Sequence, residues 1–245
     1  MSDAGAHDVR ITPLRLARMT LPDFHPAAPG FDTVYGFVVR DGAHCVLVDT
    51  GVGADSALID QLYAPEPRDL DDALAEAGTS AREITAVVNS HLHFDHCGNN
   101  ARFAGVPIFV QRAELEAARA RGYTVPGWVE FPGARYEPVD GRHRLSPALE
   151  LVPTPGHTPG HQSLVACTAD GIEIVVAQAT CTAAELADFA RSVDAPARER
   201  EAVREPHLSL NATWSRDAYA ASVERLLGER PQRAYFSHDP VVWTP

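Results

Sequence analysis

The chain has 245 residues, 45% of them hydrophobic, which is enough to bury a substantial core. Its formal net charge of -12 disfavours nucleic acid or an anionic membrane surface as a partner, because the summed field repels phosphate groups. A small neutral or cationic molecule suits this charge better, and the absence of lysine from the sequence excludes Schiff-base catalysis.

Short apolar runs in the first third of the sequence predict a β-hairpin followed by a helix. Residues 34–39 and 45–48 are apolar, and Asp41-Gly42 between them is typical of a tight turn. Asp69 can cap a helix whose apolar residues recur at helical spacing, and Gly78 can end it. These elements begin an alternation of strands and helices, which indicates an α/β fold.

The same signals predict more strands and further helices along the rest of the chain. Residues 84–88 form a short β-rich run that leads directly into a cluster of histidines. Four later runs also predict strands, and the last two turn at Asp170-Gly171: 106–110, 149–152, 163–166 and 172–177. Residues 183–206 predict a helical segment on the surface, and Ser215 can cap a final helix.

The strongest chemical signal is the segment His91-Leu92-His93-Phe94-Asp95-His96, which offers four ligand-type side chains within six residues. Imidazole and carboxylate groups bind zinc, iron or manganese, and alternate residues leaving a strand can turn His91 and His93 toward one point. The alternative is a polar loop with fortuitous histidines. A metal site is favoured, because four such groups are hard to satisfy in a protein core without an ion.

Several segments then resemble one known family. The segment 91–96 resembles the HxHxDH signature of the metallo-β-lactamase superfamily, and Asp49-Thr50-Gly51 resembles its DTG turn. Residues 154–161 resemble its TPGHTPGH segment, and residues 236–239 resemble its terminal histidine element. The match spans about residues 33 to 240, and the residues within its motifs are most similar to those of the N-acyl-homoserine lactonase branch.

The resemblance implies an α/β fold, namely a four-layer αββα sandwich that forms a single domain over residues 1–245, with metals at one edge of two sheets. It assigns the metal ligands to two sets. Site 1 comprises His91, His93 and His157. Site 2 comprises Asp95, His96 and His238.

Four of the matching residues carry further expectations. His157 lies between two Pro-Gly turns, where backbone is exposed and a side chain can be aimed at a ligand. His238 follows a predicted strand at 233–236, and the alternative is a surface histidine before a turn. The resemblance gives His161 an orienting role or that of a satisfied core histidine. It gives Asp49 a role in bonding backbone or a ligand histidine.

The sequence departs from the family pattern after the predicted strand 172–177. Dinuclear members place a metal-bridging aspartate there, whereas this chain has Gln178, and Cys181 replaces a tyrosine that many lactonases use near the substrate carbonyl. Two dications about 3.5 Å apart repel by about 19 kcal/mol at an effective dielectric of about 20, and a neutral amide offsets none of this. We therefore expect one tightly bound metal; the alternative is a shifted alignment in which Cys181 or Glu185 supplies the missing ligand.

These residues predict a metal-dependent hydrolase that attacks a small ester, lactone or lactam through a metal-bound hydroxide. Asp95 is the expected catalytic residue, orienting the nucleophile and passing its proton to the leaving alkoxide. The alternatives are a non-hydrolytic metalloenzyme of small-molecule metabolism, such as a lyase, a cyclase or an iron-dependent oxidase, and a catalytically silent relative that binds metal.

The expected metal is zinc, as one ion with two as the alternative, and iron or manganese remain open. No run of about 18 uncharged apolar residues occurs, and the first ten residues lack the layout of a secretory signal, so the expected location is the cytoplasm. The expected partner is a small-molecule substrate, with neither nucleic acid nor a membrane. A homodimer stays open, because dimers are common among similar proteins.

Overall fold

The computed structural model describes residues 8–25, 28–211 and 213–245. The strands are β1 (Val9–Thr20), β2 (Phe31–Asp41), β3 (His44–Val48), β4 (Glu66–Pro67), β5 (Ala86–Val88), β6 (Ile108–Gln111), β7 (Tyr136–Val139), β8 (His143–Arg144), β9 (Leu149–Pro153), β10 (Gln162–Thr168), β11 (Gly171–Ala177) and β12 (Arg233–Phe236). The helices are α1 (Ala57–Tyr63), α2 (Leu70–Glu76), α3 (Phe94–Cys97), α4 (Arg112–Ala117), α5 (Pro126–Val129), α6 (Ala183–Ser192), α7 (Ala197–Asn211) and α8 (Arg216–Gly228).

The strands form two sheets that follow each other in the chain. The first has the order β4-β1-β2-β3-β5-β6-β7, and the second has the order β12-β11-β10-β9-β8. In the first sheet, the pairs β3–β5, β5–β6 and β6–β7 are parallel. The pairs β1–β2 and β2–β3 are antiparallel. In the second sheet, β12 pairs parallel with β11, and the other pairs are antiparallel.

The predicted hairpin and the first predicted helix are confirmed. β2 pairs antiparallel with β3, and the turn between them includes Gly42 at a φ of 56°, which glycine adopts without strain. The Asp69 carboxylate accepts hydrogen bonds from the backbone N–H groups of Asp71 and Asp72 at the start of α2. Gly78, just after the helix, has a left-handed φ of 70°.

Alternating side chains divide the apolar core into layers, because successive residues of a strand point to opposite faces of its sheet. One cluster fills the space between the sheets and includes Phe37, Val46, Val48, Leu151, Leu164 and Val175. Another lies between the first sheet and α2 and includes Val38, Leu47, Leu70, Leu74 and Ile108. A third lies between the second sheet and α6 and α8 and includes Val165, Ile174, Phe189, Tyr219 and Val223. The four-layer αββα arrangement is confirmed.

The prediction that residues 183–206 are helical is confirmed, because α6 and α7 cover most of this range. The prediction that the segment lies on the surface is wrong for α6. Phe189 of α6 is fully buried, and Glu185 on the same helix is also buried. Thr182 caps α6 by accepting a hydrogen bond from the N–H of Glu185. The apolar residues of α6 are spaced so that one face packs on the second sheet, which overall Ala, Arg and Glu content does not reveal. Within the described ranges, no helix is both long and apolar enough to cross a bilayer.

Candidate metal centre

The candidate ligands lie on segments that leave strands of both sheets. His91 and His93 follow β5, and Asp95 and His96 lie on the one-turn helix α3 directly after them. His157 lies in the connection from β9 to β10, and the last candidate, His238, follows β12. The first sheet therefore supplies four candidate ligands and the second sheet supplies two.

The three imidazoles of site 1 converge. Their candidate ligand atoms all lie within 4.8 Å of one another, and Nδ1 of His93 is 3.1 Å from Nε2 of His157. In two of the rings the second nitrogen has a protein partner: His91 Nδ1 lies 3.0 Å from Ser90 Oγ, and His157 Nδ1 lies 3.0 Å from the carbonyl oxygen of Asn211. These contacts leave the Nε2 atoms of His91 and His157 for the shared point.

Site 1 fits a metal ion in both geometry and protonation. A tetrahedral zinc ion with Zn–N bonds of about 2.0–2.1 Å separates its ligand nitrogens by about 3.3 Å, close to the spacing of His93 and His157. His91 Nε2 is buried without a hydrogen-bond partner in the protein. Burial and the neighbouring imidazoles hold the pKa of His91 well below its ordinary value, and burial lowers the pKa of His93 to about 4. Neutral imidazoles are the form that binds metal.

Site 2 brings one carboxylate between two imidazoles. Asp95 Oδ2 lies 3.5 Å from His96 Nε2 and 3.6 Å from His238 Nε2, and both of these nitrogens are buried without a hydrogen-bond partner. Burial raises the pKa of Asp95, but His96 and His238 lower it by more, so that the pKa lies well below its ordinary value. The carboxylate is therefore ionised at neutral pH and can serve as a metal ligand.

Two further carboxylates lie beside the far nitrogens of the site 2 imidazoles. Asp49 accepts hydrogen bonds from Ser90 N–H at 2.7 Å and from Ser90 Oγ at 2.7 Å, and its Oδ2 lies 2.8 Å from His96 Nδ1. Asp32 Oδ2 lies 3.0 Å from His238 Nδ1. Asp49 bonds backbone and an imidazole, as the family resemblance implies. Asp32 was missed, because no local pattern relates the start of β2 to a histidine about 200 residues later in the chain.

His161 lies beside the centre with both ring nitrogens engaged. Its Nδ1 lies 2.8 Å from Thr154 Oγ1, and its Nε2 accepts a hydrogen bond of 3.2 Å from the backbone N–H of Gln178. Burial lowers the pKa of His161 to about 3, so the ring is neutral. These contacts suit an orienting residue better than a metal ligand.

Gln178 and Cys181 occupy the turn after β11, and Ala177 just before them has a left-handed φ of 56°. Burial and the charge of Glu185 hold the pKa of the Cys181 thiol well above its ordinary value. The Glu185 carboxylate accepts hydrogen bonds from Cys181 N–H, Tyr219 Oη and Asn211 Nδ2 at 2.8, 2.8 and 3.0 Å. Glu185 is thereby held by protein donors, which weakens the alternative that it replaces the missing aspartate.

Four aromatic residues in the segments between strands and helices differ in their surroundings. The Tyr123 ring lies 4.9 Å from the ring of His93, whereas Phe131 packs against the core cluster beneath the first sheet. The side chains of Phe24 and Trp214 are largely exposed, by 70% and 55%. A surface cavity of about 650 Å³ near α4 and α5 contains none of the site 1 or site 2 residues.

Comparison with known proteins agrees with this geometry. A sequence family described as the metallo-beta-lactamase superfamily matches residues 29–167. The chain is 34% identical over 132 residues to an N-acyl homoserine lactonase of Bacillus cereus, covering 49% of this chain and 52% of that protein. It is 27% identical over 181 residues to an N-acyl homoserine lactonase of Azorhizobium caulinodans, covering 67% and 69%.

The fold also matches solved structures. The crystal structure of a quorum-quenching N-acyl homoserine lactone hydrolase superposes with a TM-score of 0.72 at 25% identity, covering 98% of this chain and 95% of that chain. The chain aligns with only about half the length of the Bacillus relative. The family match covers more than half of the 245 residues and includes His91, His93, Asp95, His96 and His157. The chain belongs to the metallo-beta-lactamase superfamily.

Proposed function

We propose that this chain is a metal-dependent hydrolase that opens a small lactone or cleaves a related ester or lactam, with one tightly bound metal. The observation that carries the proposal is the convergence of the site 1 nitrogens beside the ionised Asp95. The N-acyl homoserine lactonases among its relatives support a lactone as the first substrate class to test.

The residues of both sites have distinct parts in this proposal. His91, His93 and His157 would hold the ion, which would supply Lewis-acid chemistry for the attack of water on a carbonyl at neutral pH. Asp95 orients the attacking water and passes its proton to the leaving alkoxide. His96 and His238 complete site 2, which a second ion can enter with substrate present. Zinc suits this set of nitrogen and oxygen ligands best.

Purified protein loaded with zinc should open lactone rings in a panel of lactones and esters, measured as acid release. We expect His157→Ala to lower the rate about 100-fold or more, because site 1 loses a ligand. His44→Ala is the matched control, since His44 is an exposed histidine on β3. Retained zinc with no turnover of any panel member would instead favour a catalytically silent relative.

The number of metal ions is tested by elemental analysis of protein purified without added metal. We expect one tightly held equivalent per chain, because Gln178 cannot offset the repulsion between two dications. Gln178→Asp should raise the content toward two equivalents and increase lactone hydrolysis. Gln178→Asn is the control, because it has the size of the aspartate without its charge. Two tight equivalents in the unmodified protein would refute the single-metal proposal.

A second candidate function rests on the two departures at Gln178 and Cys181. Together they favour a non-hydrolytic metalloenzyme that uses the same fold, such as a lyase, a cyclase or an iron-dependent oxidase. The identity of the metal tests the oxidation alternative: coloured, redox-active iron in the purified protein supports oxidation, whereas zinc supports Lewis-acid chemistry.

A further inference from the structure

Glu114 is a buried carboxylate outside both sites, and it accepts four hydrogen bonds. It lies in the first turn of α4 and is fully buried. Oε1 accepts from Leu92 N–H at 2.9 Å and from the Tyr123 hydroxyl. Oε2 accepts from the Thr158 hydroxyl at 2.7 Å and from Gly160 N–H at 3.1 Å. Every partner is a donor, so the ionised carboxylate satisfies all of them.

Three of these donors belong to the two segments that carry the site 1 histidines, and the fourth, Tyr123, contacts one of those histidines. Leu92 lies between His91 and His93, so its N–H fixes the backbone from which both imidazoles project. Thr158 directly follows His157 in the other segment. The Tyr123 ring packs on the imidazole of His93 at 4.9 Å between ring centroids. One side chain therefore connects the surroundings of all three site 1 ligands.

The backbone of the His157 segment also lies directly on α4. A Cβ atom placed on Gly160 would be 2.2 Å from the backbone nitrogen of Glu114 and 2.5 Å from its Cβ. Any residue other than glycine at this position would therefore clash with α4. Glycine permits this close approach, and the approach brings Gly160 N–H within reach of the carboxylate.

We propose that Glu114 is a positioning residue that sets the separation between the His91–His93 segment and the His157 segment, so that their nitrogens meet one ion. This inference rests on the metal site of the proposed function and names a residue on which that site depends. The two segments come from different sheets and are separated by more than 60 residues of sequence. A buried carboxylate accepting from both is a short and directional link between them.

The substitution Glu114→Gln tests the link with a nearly isosteric side chain. Its amide keeps one accepting oxygen but turns an NH₂ group toward donors, so it cannot satisfy all four partners. We expect zinc affinity to fall about 10-fold to 100-fold in competition with a chromophoric chelator. We also expect the visible spectrum of the cobalt-substituted protein to change, because the ligand geometry changes. A residue that only stabilises the fold would not alter that spectrum.

Glu173→Gln is the matched control. Glu173 is a buried glutamate on β11 whose carboxylate accepts from Tyr235 and Arg233 and contacts neither site 1 segment. We expect this variant to lose thermal stability while it keeps the zinc affinity and cobalt spectrum of the unmodified protein. Equal loss of affinity in both variants, or unchanged affinity and spectrum in Glu114→Gln, would overturn the proposal.

Thr158→Val removes one donor and leaves the buried charge in place, so it decides the question if Glu114→Gln does not fold. We expect its zinc affinity to fall about 10-fold, and an unchanged affinity would refute the positioning role. Absence of zinc binding by the unmodified protein would refute the metal site itself. Equal binding by the unmodified protein and the variants would refute only the role of Glu114.

Discussion

Each acid around the candidate metal centre lies beside a specific set of partners. Asp95 faces the unpaired nitrogens of site 2, whereas Asp49 and Asp32 lie at the opposite nitrogens of the same imidazoles. Asp95 and Asp49 are buried, whereas Asp32 is half-buried. Burying a carboxylate costs several kcal/mol unless it is paired and hydrogen-bonded, so each of the two buried carboxylates has partners that offset the cost. This arrangement concentrates negative charge around site 2.

Asp49→Asn should weaken metal binding at site 2 without disturbing the backbone. Asp49 has a φ of 60°, a conformation that asparagine also tolerates. The substitution removes the charge beside His96 Nδ1, so we expect affinity for a second ion to fall about 10-fold to 100-fold. Equilibrium dialysis against zinc measures this. Asp41→Asn, on the half-buried end of β2, is the control that should leave both sites unchanged.

The metal-free protein should show a pH-dependent effect of the same substitution. Burial lowers the pKa of His96, but Asp95 and Asp49 raise it to about 10, above the ordinary value of 6.5. A raised pKa in the folded state contributes stability that is fully present below pH 6.5 and is lost as the pH rises toward 10. The difference in Tm between the unmodified protein and Asp49→Asn should therefore shrink from pH 6.5 to pH 10 in the presence of a chelator. A constant difference would contradict this.

At the level of single residues, the sequence is informative where ligand-type side chains cluster. The segment 91–96 and the Pro-Gly turns around His157 indicate site 1 without structural information. Asp32 and Glu114 could not be found in this way, because their partners are far away in sequence. A weak signal exists for Glu114, which stands four residues, about one helical turn, before the buried Ala118 at the end of α4.

The helix α6 is anchored on the second sheet by one aromatic side chain. Phe189 is fully buried against the second sheet and packs 6.4 Å from the ring of Tyr219 on α8. Phe189→Ala should lower the free energy of unfolding by about 3–5 kcal/mol, because the truncation leaves a cavity. Urea unfolding measures this. Val193→Ala is the control, since Val193 is 42% exposed at the end of the same helix and should cost less than about 0.5 kcal/mol.

Elements with a clear period were predictable, and elements with mixed patterns were not. Five strands were predictable because they are short apolar runs that are mostly buried on both faces: β5, β6, β9, β10 and β11. β1 is twelve residues long, yet no strand was predicted for it. It contains three arginines and Pro13, and its pairing with β2 includes an irregularity between Arg15 and Ala17 that breaks the alternation.

For the molecule as a whole, removal of the metal should lower the thermal stability. An ion present at about 1,000 times its Kd adds about 4 kcal/mol to the free energy of unfolding. In a protein of this size, about 1 kcal/mol corresponds to about 2–4 °C, so chelation should lower Tm by about 8–16 °C. Differential scanning calorimetry with and without a chelator measures the shift. An unchanged Tm would mean that no ion is bound to the folded chain.

The layered architecture was predictable only through the resemblance to a family. The hairpin, the helix at Asp69 and the later strands indicate an α/β fold, but no local pattern states that the strands divide into two sheets. That division depends on contacts between the sheets, such as those of Phe37 with Tyr235, whose rings lie 6.1 Å apart. Such contacts join distant parts of the chain, and periodicity carries no information about them.

The order of strands along the chain has one more consequence. The first sheet ends at Val139, the second begins at His143, and the three exposed residues between them mark a place where the backbone could be cut. Each metal site would then be split, since His157 and His238 would be on one fragment and the other four ligands on its complement. Zinc should strengthen the reassembly of the two fragments, because each site takes ligands from both of them, so the affinity between the halves would report the availability of the ion.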